Sequence, residues 1–316
     1  MTDVVFGAAA TVCTVDLTDG AVATLVRLPA AKQTRGAILL VHGFADYFFR
    51  TELVEHLGVR GFDVYGIDLR GYGRSLRPGQ LPNYVTDLRT HFTELDEAVR
   101  LIRADGHQRL VVLGHSTGGL ITALWAHEHR ADPPMDALAL NSPWLDLAEP
   151  WLARTVGMAG VRLLGRFAPR FVLRPALGGQ YGRSLHRDYH GEWDYDLTWK
   201  PLNAFPVRAG WLRAIHLGHQ QVHRGLAIPV PVLVLHSTRS LLRATAWSDA
   251  VMRADTVLDV GQIARWTPRL GPSVRAVPIE GGLHDVFLSV PEVRQRAQTE
   301  LDTWLDEHRK ESRDRA

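Results

Sequence analysis

The chain has 316 residues, of which 46% are hydrophobic and 22% are charged, and its formal net charge is +2. This composition is typical of a globular protein with one elaborated domain, or with one domain and an insert. The near-neutral charge, without a block of Lys and Arg among aromatic residues, argues against nucleic-acid binding. The single cysteine, Cys13, excludes an intrachain disulfide and a thiolate metal cluster. Its apolar, β-branched neighbours predict that it fills a strand.

Membrane and export signals are also absent from the sequence pattern. The amino terminus has no basic segment followed by an apolar core, which a signal peptide would require. No apolar run is long enough to cross a bilayer. We therefore predict no integral membrane insertion and, by default, a cytoplasmic location.

Apolar runs alternate with amphipathic stretches along most of the chain. Residues 11–29 are predicted to form two strands around a turn at 18–20. Further strands are predicted at 37–41, 62–68, 110–114, 137–140, 230–236 and 274–279, and helices at 48–59, 85–104, 117–129 and 291–307. Strands that alternate with helices predict an α/β fold whose parallel sheet is covered on both faces.

One long region lacks this alternation. Between Pro143 and Ile228 the sequence has an apolar helical stretch at 152–171, an aromatic-rich segment at 189–201 and a further helix around 209–223. We predict that residues 143–228 form an inserted cap, or lid, and that residues 1–142 and 229–316 form the core. The insertion would lie at the carboxyl edge of the sheet, where open α/β sheets bind their ligands.

The most specific motif is Gly-His-Ser-Thr-Gly at residues 114–118. It follows a buried apolar run and precedes a stretch with helical spacing, which is the context that a Gly-x-Ser-x-Gly nucleophile elbow requires. The two glycines admit a turn too tight for flanking side chains, and this turn exposes the hydroxyl of the residue between them. Ser116 is therefore the candidate nucleophile.

Four landmarks in order resemble the α/β-hydrolase fold over roughly residues 20–305. They are His-Gly-Phe at 42–44, Asp-Leu-Arg-Gly-Tyr-Gly-Arg-Ser at 68–75, the motif at 114–118, and Gly-Gly-Leu-His-Asp at 281–285. Within that fold the chain is similar to the branch of monoacylglycerol lipases, lysophospholipases and serine aminopeptidase-like enzymes. The resemblance implies a doubly wound, mostly parallel sheet with an inserted helical cap. It also implies a serine, acid and histidine in that chain order.

The resemblance places the general base after the last strand. His284 stands there in a Gly-Gly-x-His context, and it is the expected base that takes the proton of Ser116.

The acid departs from the pattern of the family. Relatives have His-Gly-x-x-Asp after the strand, whereas Ser240 stands where that aspartate is expected. An insertion at 241–253 would displace the acid to Asp255, in an Ala-Asp-x-Val-x-Asp segment like the one that normally follows the strand. Asp259 is the second candidate and Asp249 the third, and Asp255 could instead only cap a helix. Asp285, beside the histidine, is expected to point elsewhere.

The resemblance also implies an oxyanion hole made of two backbone N–H groups. One belongs to Thr117, after the nucleophile, and the other to the loop after the third strand, where Phe44 is the candidate. We expect His42 and His115, which flank these positions, to make structural hydrogen bonds.

Two groups of residues in the predicted cap leave alternatives open. His216, His219 and His223 have helical spacing that could hold zinc, but no Glu or other ligand lies nearby, so we predict no metal site and no cofactor. A set of aromatic residues could line an acyl pocket or simply hold the cap together: Trp193, Tyr195, Trp199 and Trp211.

The leading hypothesis is a cofactor-independent serine hydrolase of lipophilic carboxylic esters, such as acylglycerols or lysophospholipids. The same three residues could instead act on amide or peptide bonds, with Glu192, Asp194 and Asp196 as acidic groups for a peptide amino terminus, or could transfer acyl groups to an alcohol. The serine at position 240 motivates a third hypothesis, a non-catalytic binding module with this fold.

Overall fold

The structure is a computed structural model that describes residues 3–17, 19–32, 34–148, 157–176, 178–242 and 244–309. Ten strands lie in this described part of the chain: β1 (Thr11–Asp16), β2 (Val22–Leu28), β3 (Ala37–Val41), β4 (Asp63–Asp68), β5 (Leu110–His115), β6 (Ala137–Asn141), β7 (Val172–Arg174), β8 (Val207–Arg208), β9 (Val232–Ser237) and β10 (Val274–Ile279). The α-helices of the same residues are α1 (Thr51–Val59), α2 (Phe92–Ala104), α3 (Thr117–Glu128), α4 (Met158–Phe167), α5 (Gln180–Leu185), α6 (Ala209–Arg224), α7 (Val260–Trp266) and α8 (Pro291–Glu307).

Eight strands form one sheet in the order β1-β2-β4-β3-β5-β6-β9-β10. The pairs β1–β2 and β2–β4 are antiparallel, and every other neighbouring pair in this sheet is parallel. Strands β7 and β8 form a separate antiparallel pair. The carboxyl ends of β3, β5, β9 and β10 therefore meet at one edge, and this edge positions the candidate site.

Apolar side chains pack against both faces of the sheet. Along β3, Leu39 belongs to a cluster with residues of α2, α3 and α6, whereas Ile38 and Leu40 belong to a cluster with residues of α1 and α8. Every residue of β3, β5 and β6 is buried, which explains the continuous apolar runs of the sequence. The predicted α/β fold with a mostly parallel, doubly wound sheet is confirmed.

Several element bounds differ from those predicted. Helix α1 begins at Thr51 rather than Phe48, because the backbone of Arg50, with ψ of 72°, is not helical. The Phe48 amide donates to the carboxylate of Asp68 (2.7 Å). The helix predicted from Val85 begins only at residue 92, after a 3₁₀ turn at Leu88–His91. Cys13 lies in a strand as predicted, but its side chain is exposed rather than packed.

The long segment between β6 and β9, residues 142–231, is called the β6–β9 segment here. The helix predicted at 152–171 lies partly outside the described residues, and within them α4 spans Met158–Phe167 and ends before β7. Helix α6 spans Ala209–Arg224, where a helix was predicted. None of the described helices has the length and apolar character needed to span a membrane.

Candidate active site

Ser116 lies at a sharp turn between β5 and α3. Its φ of 54° is in a region that residues with a side chain rarely adopt. Such a backbone persists only where the surroundings hold it in place, and it is typical of functional sites. The turn matches the elbow that the motif predicts, with the serine between a buried strand and a buried helix.

The flanking glycines of the motif are required by close contacts. A Cβ at Gly118 would lie 2.3 Å from the carbonyl oxygen of His42, and a Cβ at Gly114 would lie 2.4 Å from Oγ1 of Thr122. Neither position can hold a side chain without displacement of the backbone or of the next helical turn. These contacts also bring the elbow against the loop that follows β3.

His284 connects Ser116 to a buried carboxylate. Its Nε2 lies 2.9 Å from Oγ of Ser116, and its Nδ1 lies 2.9 Å from Oδ2 of Asp255. Because a carboxylate only accepts, Nδ1 carries the proton and donates to Asp255. Nε2 is therefore left to accept the Ser116 hydroxyl proton. All three side chains are buried, with Asp255 fully enclosed.

Backbone hydrogen bonds fix the Asp255 carboxylate in its orientation. Oδ1 accepts the N–H groups of Val257 and Leu258, both at 2.8 Å, so only Oδ2 faces the imidazole. Asp255 also pairs with Ser240 across an isolated parallel bridge. The residue at the usual acid position and the displaced aspartate therefore lie side by side.

The other carboxylates weighed in the sequence make different contacts. Asp259 caps α7 by accepting the Gly261 amide at 2.9 Å, and Asp249 is exposed on the 3₁₀ turn Asp249–Arg253. Asp285 accepts Nε of Arg50 at 2.6 Å. No hydrogen bond or ion pair joins any of these three to His284 within the described residues.

The backbone N–H groups of Phe44 and Thr117, both beside Ser116, have no acceptor among the described residues. On either side of Phe44 the amides are engaged, since Gly43 donates to Asp46 (3.4 Å) and Ala45 donates to Asn83 (2.8 Å). A Cβ on Gly43 would lie 3.0 Å from Cβ of Ser116, so this loop abuts the elbow. Free N–H groups at a helix N-terminus and in the adjoining loop fit a site for an anionic ligand atom.

The Asp-x-Arg-Gly-x-Gly-x-Ser motif braces the same loop. The carboxylate of Asp68 accepts the amide of Phe48 and the amide and guanidinium of Arg74. Next to it, His42 Nε2 accepts the amide of Leu69 at 3.1 Å, while its Nδ1 lies 2.9 Å from the carbonyl of Gly43. His42 thus makes the structural hydrogen bonds expected of it.

A buried charge cluster under the site was not predicted from the sequence. Arg50 donates to Asp46 and to Asp285, each at 2.6 Å, and Lys200 Nζ lies 3.0 Å from the other oxygen of Asp46. Asn141 donates to Asp285 at 2.6 Å. The four-residue spacing of Asp46 and Arg50 after the loop glycine is the only local signal, because the other partners are far away in sequence.

The cluster keeps its carboxylates ionised. Burial acts to raise the pKa of Asp46, but the Arg50 guanidinium and then the Lys200 ammonium outweigh it and hold that pKa well below its ordinary value. Arg50 acts in the same way on Asp285, whose pKa is also lowered. Burial lowers the pKa of His115 to about 3, so its imidazole is neutral. Its Nδ1 lies 3.1 Å from the carbonyl of Asn141, the structural bond expected.

Two histidines of α6 make backbone contacts. Nε2 of His219 lies 2.9 Å from the carbonyl of Trp144, and Nε2 of His223 lies 3.0 Å from that of Leu145. Over the described ranges no group of three or more potential ligands is placed to hold a metal ion.

The aromatic residues of the β6–β9 segment fall into two groups. Trp193 and Tyr195 belong to a buried cluster with Tyr47 and Phe49, and Trp199 packs against it. Trp211 instead packs against Phe44 at a tilt of 35°, with ring centroids 4.3 Å apart.

Two buried histidines are expected to make the folded protein less stable in acid. Burial, as the largest cause, lowers the pKa of His115 and of His219 to about 3. The unfolded chain therefore binds more protons than the folded chain below about pH 6.5. We expect the free energy of unfolding to be constant above that pH and to fall towards pH 3, by roughly 1 kcal/mol per pH unit for each histidine.

Urea unfolding at pH 7, 6 and 5 measures this dependence. His219→Gln is expected to reduce the slope by roughly 1 kcal/mol per pH unit, since it removes one buried histidine while the others remain. His129→Gln, at a partly exposed position, is the matched control for the substitution itself. A wild-type stability that does not vary between pH 7 and 5 would contradict the prediction.

Comparisons with known proteins identify the family of the chain. The family model described as serine aminopeptidase, S33, matches residues 32–262. The chain belongs to this family of α/β hydrolases. The monoacylglycerol lipase of Mycolicibacterium smegmatis is 30% identical over 234 residues, which cover 72% of this chain and 79% of that relative.

Solved structures support the fold of this α/β hydrolase. A soluble variant of monoglyceride lipase from Saccharomyces cerevisiae, in complex with a substrate analog, is similar with a TM-score of 0.71 and 21% identity, over 96% of this chain and 97% of that chain. The monoacylglycerol lipase of Paleococcus ferrophilus gives a TM-score of 0.68 and 22% identity, over 90% and 99%. The family model and the Mycolicibacterium smegmatis relative confirm the branch of the fold that the sequence motifs indicated.

Proposed function

We propose that this α/β hydrolase is a carboxylic ester hydrolase that acts through an acyl-enzyme on Ser116. The observation that carries the proposal is the chain of two 2.9 Å contacts from Oγ of Ser116 through His284 to Asp255. A serine hydroxyl is a weak nucleophile unless a base accepts its proton, and this base is oriented by a buried carboxylate. The similarity to monoacylglycerol lipases favours esters over other acyl compounds.

The reaction follows from the roles of these groups. Oγ of Ser116 attacks the ester carbonyl carbon while Nε2 of His284 takes its proton, and Asp255 stabilises the resulting imidazolium. The amides of Phe44 and Thr117 hold the negative oxygen. When the bond between the acyl carbon and the alkoxy oxygen breaks, His284 gives the proton to the departing alcohol. Water, deprotonated by His284, then attacks the acyl carbon of the acyl-enzyme. When the bond to Oγ of Ser116 breaks, His284 returns the proton to Ser116 and the carboxylic acid is released.

We propose lipophilic esters, monoacylglycerols or lysophospholipids, as the substrate class. The relatives named monoacylglycerol lipase support it. A second support is the apolar side of the oxyanion loop, where Phe44 packs against Trp211 and Trp211 against Trp144. In this proposal residues 143–228 act as the cap over a core of residues 1–142 and 229–316.

The contacts of the acidic residues disfavour the aminopeptidase alternative. Glu192 pairs with Arg294, and Asp194 pairs with Arg187. The Asp196 carboxylate accepts the Thr198 amide of its own turn. Carboxylates that bind a peptide amino terminus should face the nucleophile without a cation already bound.

A substrate panel tests the proposal. We expect monoacylglycerols and p-nitrophenyl esters of graded acyl length to be hydrolysed at least about 100-fold faster, in kcat/KM, than aminoacyl anilides of similar size. Product analysis with added glycerol separates hydrolysis from acyl transfer. Faster cleavage of the anilides would favour the peptidase, and transfer to glycerol in excess of release of free acid would favour an acyltransferase.

A further inference from the structure

Lys200 is a buried cation that the β6–β9 segment inserts under the site. Its side chain is only 7% exposed, and Nζ lies 3.0 Å from Oδ1 of Asp46. Lysine is almost never buried without a partner, because desolvation of the ammonium is costly. The burial of Lys200 therefore needs a compensating interaction, and Asp46 supplies it.

Three aromatic rings complete the surroundings of this ammonium. Nζ lies 5.5 Å from the ring centroid of Tyr181, 5.6 Å from that of Phe49 and 5.7 Å from that of Tyr195. The negative ring faces attract a cation, and more strongly where water is excluded. One of these rings, Tyr181, also meets His284 edge-on, with centroids 5.4 Å apart.

The Asp46 carboxylate joins Lys200 to the oxyanion loop. Its Oδ2 accepts the Gly43 amide at 3.4 Å and Nη2 of Arg50 at 2.6 Å. Gly43 directly precedes Phe44, whose N–H has no acceptor. The Asp46 carboxylate therefore links the ammonium of Lys200 to the loop that offers this N–H group.

The same cluster reaches the loop of His284. Arg50 donates through Nε to Asp285, the residue next to His284 in sequence, at 2.6 Å. The cluster therefore contains two carboxylates, Asp46 and Asp285, and two cations, Arg50 and Lys200. Its net charge is zero only when Lys200 is in place, and an unbalanced buried charge is strongly unfavourable.

We propose that Lys200 is a positioning residue, which fixes the oxyanion loop through Asp46 and neutralises the buried charge next to His284. The inference rests on the proposed function, since it concerns the hydrolysis carried out at Ser116. In this proposal, packing of the β6–β9 segment against the core places the ammonium of Lys200 next to Asp46 and so balances the negative charge below the site. Residue 200 thereby joins two regions that the sequence separates.

Removal of the Lys200 ammonium should change kcat and its pH dependence in a predictable direction. Asp46, Asp285 and Arg50 would then carry a net charge of −1 below the site. A negative charge there opposes the oxyanion in the transition state, and it stabilises the imidazolium of His284 in the resting enzyme. We expect a lower kcat, and a higher pH midpoint for the acid limb of the rate profile.

The groups that face His284 do not mask this effect. They are Ser116, Asp255, His115 and Tyr181. Asp285 follows His284 in sequence and is paired with Arg50. His115, with its pKa lowered to about 3 by burial, stays neutral above pH 5. Burial raises the pKa of Tyr181 well above its ordinary value, so its hydroxyl stays protonated.

The test compares Lys200→Met with a variant that restores neutrality. For Lys200→Met we expect kcat on p-nitrophenyl butyrate to fall at least about tenfold with KM changed less than about threefold, and the acid midpoint of kcat/KM to rise by about one pH unit. The double variant Asp46→Asn with Lys200→Met removes one charge of each sign, and its midpoint is expected to return to the wild-type value. Arg187→Met, which removes an exposed cation of the same segment, is the matched control. It should leave kcat and the acid midpoint of kcat/KM unchanged.

A second readout does not depend on turnover. In a Ser116→Ala background, NMR titration of the His284 imidazole should show the same rise on Lys200→Met and the same return in the double variant, with thermal unfolding as the check on folding. Unchanged midpoints in folded Lys200→Met, or equal midpoints in the single and double variants, would overturn the proposal. Absence of Ser116-dependent hydrolysis in the wild type would instead refute the proposed function, while the NMR titration still decides the role of Lys200.

Discussion

Ser116→Ala is expected to lower kcat for p-nitrophenyl butyrate by about 10⁴- to 10⁶-fold, because it removes the atom placed to form the acyl-enzyme. A fluorophosphonate probe should label the wild type and leave the variant unlabelled. Rates measured under substrate saturation, with mass spectrometry of the labelled protein, check both expectations.

A matched control separates chemistry from backbone strain. Ser142 is also a buried serine with a positive φ, 45°, and it follows the neighbouring strand β6. Ser142→Ala imposes a comparable demand on the backbone without touching His284, so we expect it to keep activity within about fivefold of the wild type. Ester hydrolysis that survives Ser116→Ala would refute the mechanism.

Asp255→Asn is expected to lower kcat by about 10⁴-fold with little change in KM. The amide no longer stabilises the imidazolium, and its NH₂ group favours the wrong tautomer of His284. Oδ1 of the residue still accepts the amides of Val257 and Leu258, so the fold should survive. Steady-state kinetics with urea unfolding as the folding check measure the effect.

Asp259→Asn provides the comparison. Asp259 only caps α7, and asparagine is an equally good cap, so we expect activity within about threefold of the wild type. A larger loss for Asp259→Asn than for Asp255→Asn would move the acid to the second candidate. Equal activity of both variants with the wild type would favour a hydrolase without a carboxylate in this role.

The fold was predictable because local patterns and tertiary structure agree. The buried strands β3 and β5 are uninterrupted apolar runs, and the elbow at Ser116 is encoded by two glycines that no other residue can replace. The start of α1 was misplaced because apolar spacing extends to Phe48, whereas the backbone of Arg50 is not helical and the Phe48 amide binds a carboxylate of β4. Patterns within a helix carry no information on such a partner.

The candidate site was predictable only in part. Ser116 and His284 stand in short motifs, whereas Asp255 was chosen by analogy with a displaced segment. The contact of Lys200 with Asp46 joins residues 154 positions apart, and neither has a local signal of burial. A lysine between a tryptophan and a proline in a polar segment is normally exposed, so only the tertiary structure indicates its environment.

The bridge between Ser240 and Asp255 has a consequence for how such proteins diverge. Backbone hydrogen bonds tie the two ends of the stretch between them, from Asp255 N–H to the Arg239 carbonyl (2.8 Å) and from Leu241 N–H to the Asp255 carbonyl (2.7 Å). A loop whose two ends are joined by hydrogen bonds can lengthen or shorten at small entropic cost, while the residues at its ends keep their positions. A search that counts residues from the end of the strand would find Ser240 and classify this chain as non-catalytic. A search by distance from His284 would find Asp255.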